Sequence, residues 1–205
     1  MTHAIATVLL LASSLAITSH AHAEDAAASH RASYQLEAKG DYAGALAKMT
    51  ALRAAGDNSY FVSLRAAWLR YLAGDFAGAE SGYRAAMAIK PKAVEPKVGL
   101  TLVLYAAGKW KELEVACRAA LAEAPSDATL RARLASAQYN LGRFPEAASL
   151  YRRLVDEYPA TLDYRTGYGW SLQRMAKHKE ARAIFQAVLA VSPDNANAQQ
   201  GIKDK

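Results

Sequence analysis

One cysteine, Cys117, stands in a chain of 205 residues, so no internal disulfide can close and stability has to come from packing. Glycine and proline number only 12 and 6, too few for a turn-rich all-β fold. Five histidines do not easily furnish a metal cluster, and three of them fall within the first 22 residues. No HExxH, paired CxxC, GxSxG or phosphate-binding loop occurs, which removes the common signatures of hydrolytic, redox and nucleotide chemistry. What is plentiful is alanine, 47 residues of it, within an apolar fraction of 52%. A chain this apolar is not disordered, and alanine at that level favours closely packed helices.

Residues 1–23 read as a cleavable signal peptide. An apolar run from Ala4 to Ile17 ends at Ala21-His22-Ala23, a small-x-small cleavage pattern, just before Glu24-Asp25. The run is about 14 residues long, shorter than the roughly 20 needed to cross a bilayer, and no second run of that kind follows. The leader has no Lys or Arg, which leaves His3 and the free amine as its positive end. No Cys lies near the cut for lipid attachment. The expectation is a periplasmic or secreted product without a transmembrane span.

A fixed period overrides any local helix reading. Lys39-Gly40-Asp41-Tyr42 recurs as Ala73-Gly74-Asp75-Phe76, Ala107-Gly108-Lys109-Trp110, Leu141-Gly142-Arg143-Phe144 and, degenerately, Met175-Ala176-Lys177-His178, each step being 34 residues. Three residues past each aromatic position stands a mostly small side chain, at Ala45, Ala79, Leu113, Ala147 and Ala181. Four further on stands a bulky one, at Met49, Tyr83, Tyr151 and Phe185, with Cys117 in the third repeat. Leu113 and Cys117 read as a volume exchange, one residue grown where its neighbour has shrunk. Pro91, Pro125, Pro159 and Pro193 close four of the repeats, and Asp57 closes the first.

These columns resemble the tetratricopeptide repeat family, whose signature pairs a small residue with an aromatic four later and a proline at the repeat's end. The family's early Trp column is filled here by Ser29, Ser63, Lys97, Arg131 and Arg165, and the glycine of the fifth repeat is Ala176. The resemblance implies an all-α, right-handed solenoid of antiparallel helix pairs, with repeats at 26–59, 60–93, 94–127, 128–161 and 162–195 and a short capping tail at 196–205. The residues agree. Gly40, Gly74, Gly108 and Gly142 sit where the chain must reverse between two helices, and Ala147, Leu150, Tyr151, Leu154 and Tyr158 share one helical face. Pro96 and Pro145 fall in first turns, where the missing N–H does no harm.

The formal charge of +6 is spread along the chain, the five repeats carrying +1, +3, −1, +2 and +2, Glu24-Asp25 adding −2 and the tail +1. Nucleic-acid binding needs clustered Lys and Arg, so it is not expected. The acidic pairs Glu112/Glu114 and Asp156/Glu157 read as solvated helix faces, since such neighbours do not converge on one substrate atom. Past the leader only His30 and His178 remain, without catalytic partners. No enzyme activity, cofactor or metal is expected.

In the resembled family the first helix of each repeat lines a concave surface. Carried onto this sequence, the groove residues are Tyr34, Trp68, Tyr71, Leu102, Tyr105, Tyr139 and Trp170, with Phe61 and Leu64 nearby. Tyr71, Tyr105 and Tyr139 form a ladder at the repeat period that either meets a ligand or packs within the stack. Arg31, Arg65 and Arg133 are the candidate contacts for an anionic ligand, although the Lys and Asn columns of the family's carboxylate clamp are not reproduced. The expected function is a non-catalytic adaptor holding a protein or peptide partner in the groove. The alternative is binding of a polysaccharide during envelope export, by stacking of the same rings. The tail carries only Ile202 as a large apolar cover for Phe185, Val188 and Leu189. Self-association or partner docking at that end therefore stands against a short helix capped by Asp194.

Overall fold

The computed structural model describes residues 25–204; the proposed signal peptide, residues 1–23, lies outside them. Every regular element among the described residues is an α-helix. The first, α1, spans residues 25–38. It is followed by α2 (Tyr42–Ala54), α3 (Tyr60–Leu72), α4 (Phe76–Ile89), α5 (Glu95–Ala106), α6 (Trp110–Leu121), α7 (Ala128–Asn140), α8 (Phe144–Glu157), α9 (Leu162–Arg174), α10 (His178–Val191) and α11 (Ala196–Lys203). None of these is long and apolar enough to cross a membrane.

The helices fall into two units, one ending at Pro91 and the other beginning at Lys92. In the first, α3 packs on both α2 and α4. In the second, each helix from α5 to α11 packs on its chain neighbour, and α5 also meets α7, which meets α9. That contact between alternate helices aligns the first members of successive pairs side by side.

The tight reversals follow from the glycines, with Gly40, Gly74, Gly108 and Gly142 at φ between 66° and 80°, the left-handed region. The fifth reversal forces the same conformation on Ala176, at φ 59°. The second helices start in two ways. Asp41 and Asp75 cap α2 and α4, accepting from Gly44 N and Gly78 N at 2.8 Å. In α6, α8 and α10 the cap position is Lys109, Arg143 or Lys177, with no side-chain cap, and the third helical residue is Glu112, Glu146 or Glu180.

The repeat columns form the core. Ala45, Ala79, Leu113, Ala147 and Ala181 are all fully buried, and Met49, Tyr83, Cys117, Tyr151 and Phe185 are buried beside them. Leu113 and Cys117 lie in α6 with no exposure, as a volume exchange requires, and burial pushes the Cys117 thiol up to about 12. Glu114 departs from the solvated-face expectation. It is only 8% exposed and accepts from Arg118 Nη2 at 2.9 Å and from Arg143 Nη1 at 2.5 Å, tying α6 to the start of α8. Glu157 stays on the surface, paired to Arg131 at 2.7 Å.

The C-terminal end is closed, which removes the basis for docking there. Residue Phe185 and Val188 are wholly buried beneath α11, with Leu189 and Ile202 packed against the same cluster. The ring of Phe185 lies between Gly169 and Gly201, where a Cβ on either would run into it. Asn195, not Asp194, caps α11 by accepting from Ala198 N at 2.9 Å. Gln173 Nε2 donates to Asp204 O at 2.9 Å and fastens the end of the helix.

Candidate functional site

In the second unit, first helices α5, α7 and α9 supply the walls of a cavity of about 790 Å³, with Leu102 and Tyr105, then Arg133 and Tyr139, then Asp163 and Trp170. Three of the lining rings, the exposed Tyr105 and the half-buried Tyr139 and Trp170, are braced within the fold. Tyr105 packs edge-on against Trp110 at 5.7 Å, Tyr139 against Phe144 at 5.4 Å, and Trp170 against Phe185 at 5.4 Å. Each rung of the tyrosine ladder in repeats two to four meets the turn aromatic five residues on. Tyr105 nonetheless keeps 43% of its surface open.

The floor comes from a residue the first-helix rule does not reach. Tyr151, on α8, reaches the cavity because Gly167 on α9 has no side chain; a Cβ there would meet the phenol ring at 2.5 Å. Its hydroxyl shares a hydrogen bond of 2.7 Å with Ser136 Oγ. Burial pushes this phenol up to about 12 and raises Tyr139 and Tyr164 as well. The signal available in the sequence was the glycine itself, which has no reason to stand mid-helix unless something approaches closely.

Arg133 lines this cavity, but its Nη1 donates to Val98 O at 3.0 Å and to Thr101 Oγ1 at 2.7 Å, binding α7 to α5. Asp163, on the first turn of α9, is exposed, and its carboxylate has no hydrogen-bond or ion-pair partner among the described residues.

The first unit holds a smaller cavity, about 630 Å³, lined by Tyr34, Glu37, Arg65 and Trp68 among others. Glu37 is its hub, accepting from Trp68 Nε1 at 2.7 Å and pairing with Arg65 Nη1 at 2.5 Å. The Arg65 guanidinium lies 3.7 Å over the Tyr34 ring, and Nη2 donates to Ser33 Oγ at 3.3 Å. With 7% exposure and the Glu37 carboxylate already paired to it, Arg65 is not open to an anionic ligand, which corrects that expectation. Arg31 is exposed and lines neither cavity. Tyr71 also lines neither: it is packed between Trp68 at 5.6 Å and Phe76 at 5.9 Å. Phe61 is exposed and meets His30 edge-on at 5.0 Å. Among the described residues, no three His, Cys, Asp or Glu side chains are grouped so as to hold a metal ion.

Stacked helix pairs with braced rings around an open cavity define a helical-repeat binding scaffold. The chain belongs to the tetratricopeptide repeat family, whose sequence model matches residues 10–194. Its fold is similar to that of MamA from Desulfovibrio magneticus RS-1, with a TM-score of 0.77 at 19% identity over 84% of this chain and 97% of that one. A tetratricopeptide repeat protein from Parabacteroides merdae ATCC 43184 gives 0.79 at 16% identity, over 88% of this chain and 72% of that one. YrrB, described as a tetratricopeptide repeat protein with an unusual peptide-binding site, gives 0.73 at 15% identity, over 85% and 90%. No curated protein matches the sequence. Proteins of this fold are typically scaffolds for protein–protein interaction.

Proposed function

We propose that the protein is an exported, non-catalytic adaptor that holds a peptide segment of another envelope protein in the ring-lined cavity of its second unit. The observation that carries this reading is the bracing of Tyr105, Tyr139 and Trp170 by rings of their own fold. Such rings present apolar faces with polar tips and lose little freedom when a ligand arrives, which suits an extended chain. A peptide-binding site in the similarly folded YrrB supports the same class of partner, and the leader at residues 1–23 supports export.

The test is capture from an envelope extract by the wild type and a Tyr105→Ser variant. Tyr105 is chosen because it is open to solvent, whereas Trp170→Ala would also strip packing from Phe185. The variant should lose the captured protein while its helicity is unchanged. Equal capture by both, or retention of glycans and no protein on a glycan array run in parallel, sinks the peptide reading. For export, the mass of protein recovered from the envelope should match a chain starting at Glu24; a chain still starting at Met1 contradicts it.

A further inference from the structure

The second-unit cavity is electrically balanced and lined chiefly by rings. Its two charged residues, Arg133 and Asp163, cancel, so its own charge selects neither an acidic nor a basic ligand. Tyr105 on α5 and Tyr139 on α7 stand at the same position of successive repeats, 34 residues apart, and Trp170 stands on α9. These three helices lie side by side, α5 against α7 and α7 against α9, and helices so packed stand about 8–10 Å apart. A chain crossing them meets a new helix row once in that distance. A polyproline II helix advances about 3.1 Å per residue with three residues per turn, so one turn is about 9.3 Å. A β-strand returns to the same face about every 6.6–6.8 Å, and an α-helix about every 5.4 Å, its second turn falling at about 10.8 Å. Of the three, the polyproline helix keeps step with the rows.

We infer that this cavity takes a proline-rich segment in the polyproline II conformation, crossing α5, α7 and α9 with every third residue set on a row of the wall. The inference rests on the peptide reading above. Proline-rich segments dock in grooves lined by aromatic rings, where the flat faces meet without any charge. The carbonyls of a polyproline helix have no internal partner, and proline brings no N–H, so such a segment asks the wall mainly for donors. Trp170 Nε1 and the hydroxyls of Tyr105, Tyr139 and Tyr164 make no hydrogen bond among the described residues. Burial raises Tyr139 and Tyr164, which keeps their protons available for donation. The ligand's conformation is set in advance and the rings are held by their neighbours, so little ordering cost offsets the contact. The first-unit cavity does not offer the same surface, because the Arg65 guanidinium already covers the Tyr34 ring at 3.7 Å.

Random dodecapeptides displayed on phage, selected on the full-length protein, test this. The expected outcome is an uncharged consensus with prolines three residues apart. The synthetic consensus peptide should then lose about tenfold in affinity when one of those prolines is moved by a single position at unchanged composition, and about tenfold on Tyr105→Ser in the protein. Tyr105→Phe, which keeps the ring, should retain most of the binding, and circular dichroism checks that both variants fold. A consensus without proline, or one whose shifted peptide binds equally well, overturns the polyproline inference; if its binding still requires Tyr105, the peptide groove stands. No enrichment over control, or a consensus bound equally by wild type and Tyr105→Ser, overturns both.

Discussion

Ala176 carries a conformation that its side chain resists. It occupies the position held by Gly40, Gly74, Gly108 and Gly142 and shares their left-handed backbone, at φ 59°. A Cβ there costs about 1–2 kcal/mol, part of which glycine gives back through its freer unfolded chain. Ala176→Gly should therefore stabilise the protein by about 0.5–1 kcal/mol, seen as a higher urea midpoint; a lower midpoint refutes the strain. Cys117 makes a different residue-level prediction. Its thiol stays protonated in the fold up to about 12 against an ordinary 9.0. Below 9 both states hold the proton. Above 9 the unfolded chain releases it first, so stability falls as pH rises, by up to about 1.4 kcal/mol per pH unit towards 12. Cys117→Ala removes this contribution. The stability gap between wild type and variant, measured by urea titration, should narrow from pH 8 to pH 10.5, and a constant gap would count against a buried thiol.

At the scale of the element, the helix starts show a coupling between residues three apart. The Asp41 and Asp75 carboxylates lie so close to Gly44 and Gly78 that a Cβ on either glycine would collide with the cap. Repeats three to five use the other solution, a basic residue at the cap and Glu at the third position, as in the Lys177–Glu180 pair at 3.6 Å. Asp75→Ala should cost about 1 kcal/mol. Gly78→Ala should cost a similar amount, because the carboxylate has to withdraw. The double variant should cost clearly less than the two together, since the same bond is lost only once; strict additivity would show that the cap and the glycine act independently. The hairpins themselves were legible because a 34-residue period, glycine reversals and terminal prolines all agree on where each helix must begin and end. The polar contacts were not legible. Glu37 meets Arg65 and Trp68, and Glu114 meets Arg143, across roughly thirty residues of sequence, and nothing in the spacing of charges distinguishes a carboxylate buried by a neighbouring hairpin from one left in water. Tyr151 escaped for a related reason: assigning cavity residues to first helices alone hides a second-helix ring that enters where a glycine makes room.

At the scale of the whole molecule, a stack of repeats is stable only if its last hairpin is covered, because each repeat buries its apolar face on the next. Composition suggested a thin cover, since residues 196–205 offer one large apolar side chain. The fold solves this by fit rather than by bulk. Gly201 brings the backbone of α11 directly onto the Phe185 ring, Ala198 packs in the same cluster, and the Gln173 bond to Asp204 O holds the end in place. Deleting residues 196–205 uncovers Phe185 and Val188, each of which is wholly buried. At about 1.5–3 kcal/mol for each large apolar side chain re-exposed, the loss should be about 3–6 kcal/mol. That fraction of the stability of an ordinary domain should appear as a melting point lowered by well over 5 °C. Gly201→Ala tests the fit separately, because it keeps the cover but forces a methyl group against the ring, at about 1–3 kcal/mol. Light scattering distinguishes the two. The deletion leaves an apolar end that should associate with rising concentration, whereas Gly201→Ala should be destabilised without gaining association. A deletion variant with the wild-type melting point would mean that α11 is an ornament on α10 and not its cap.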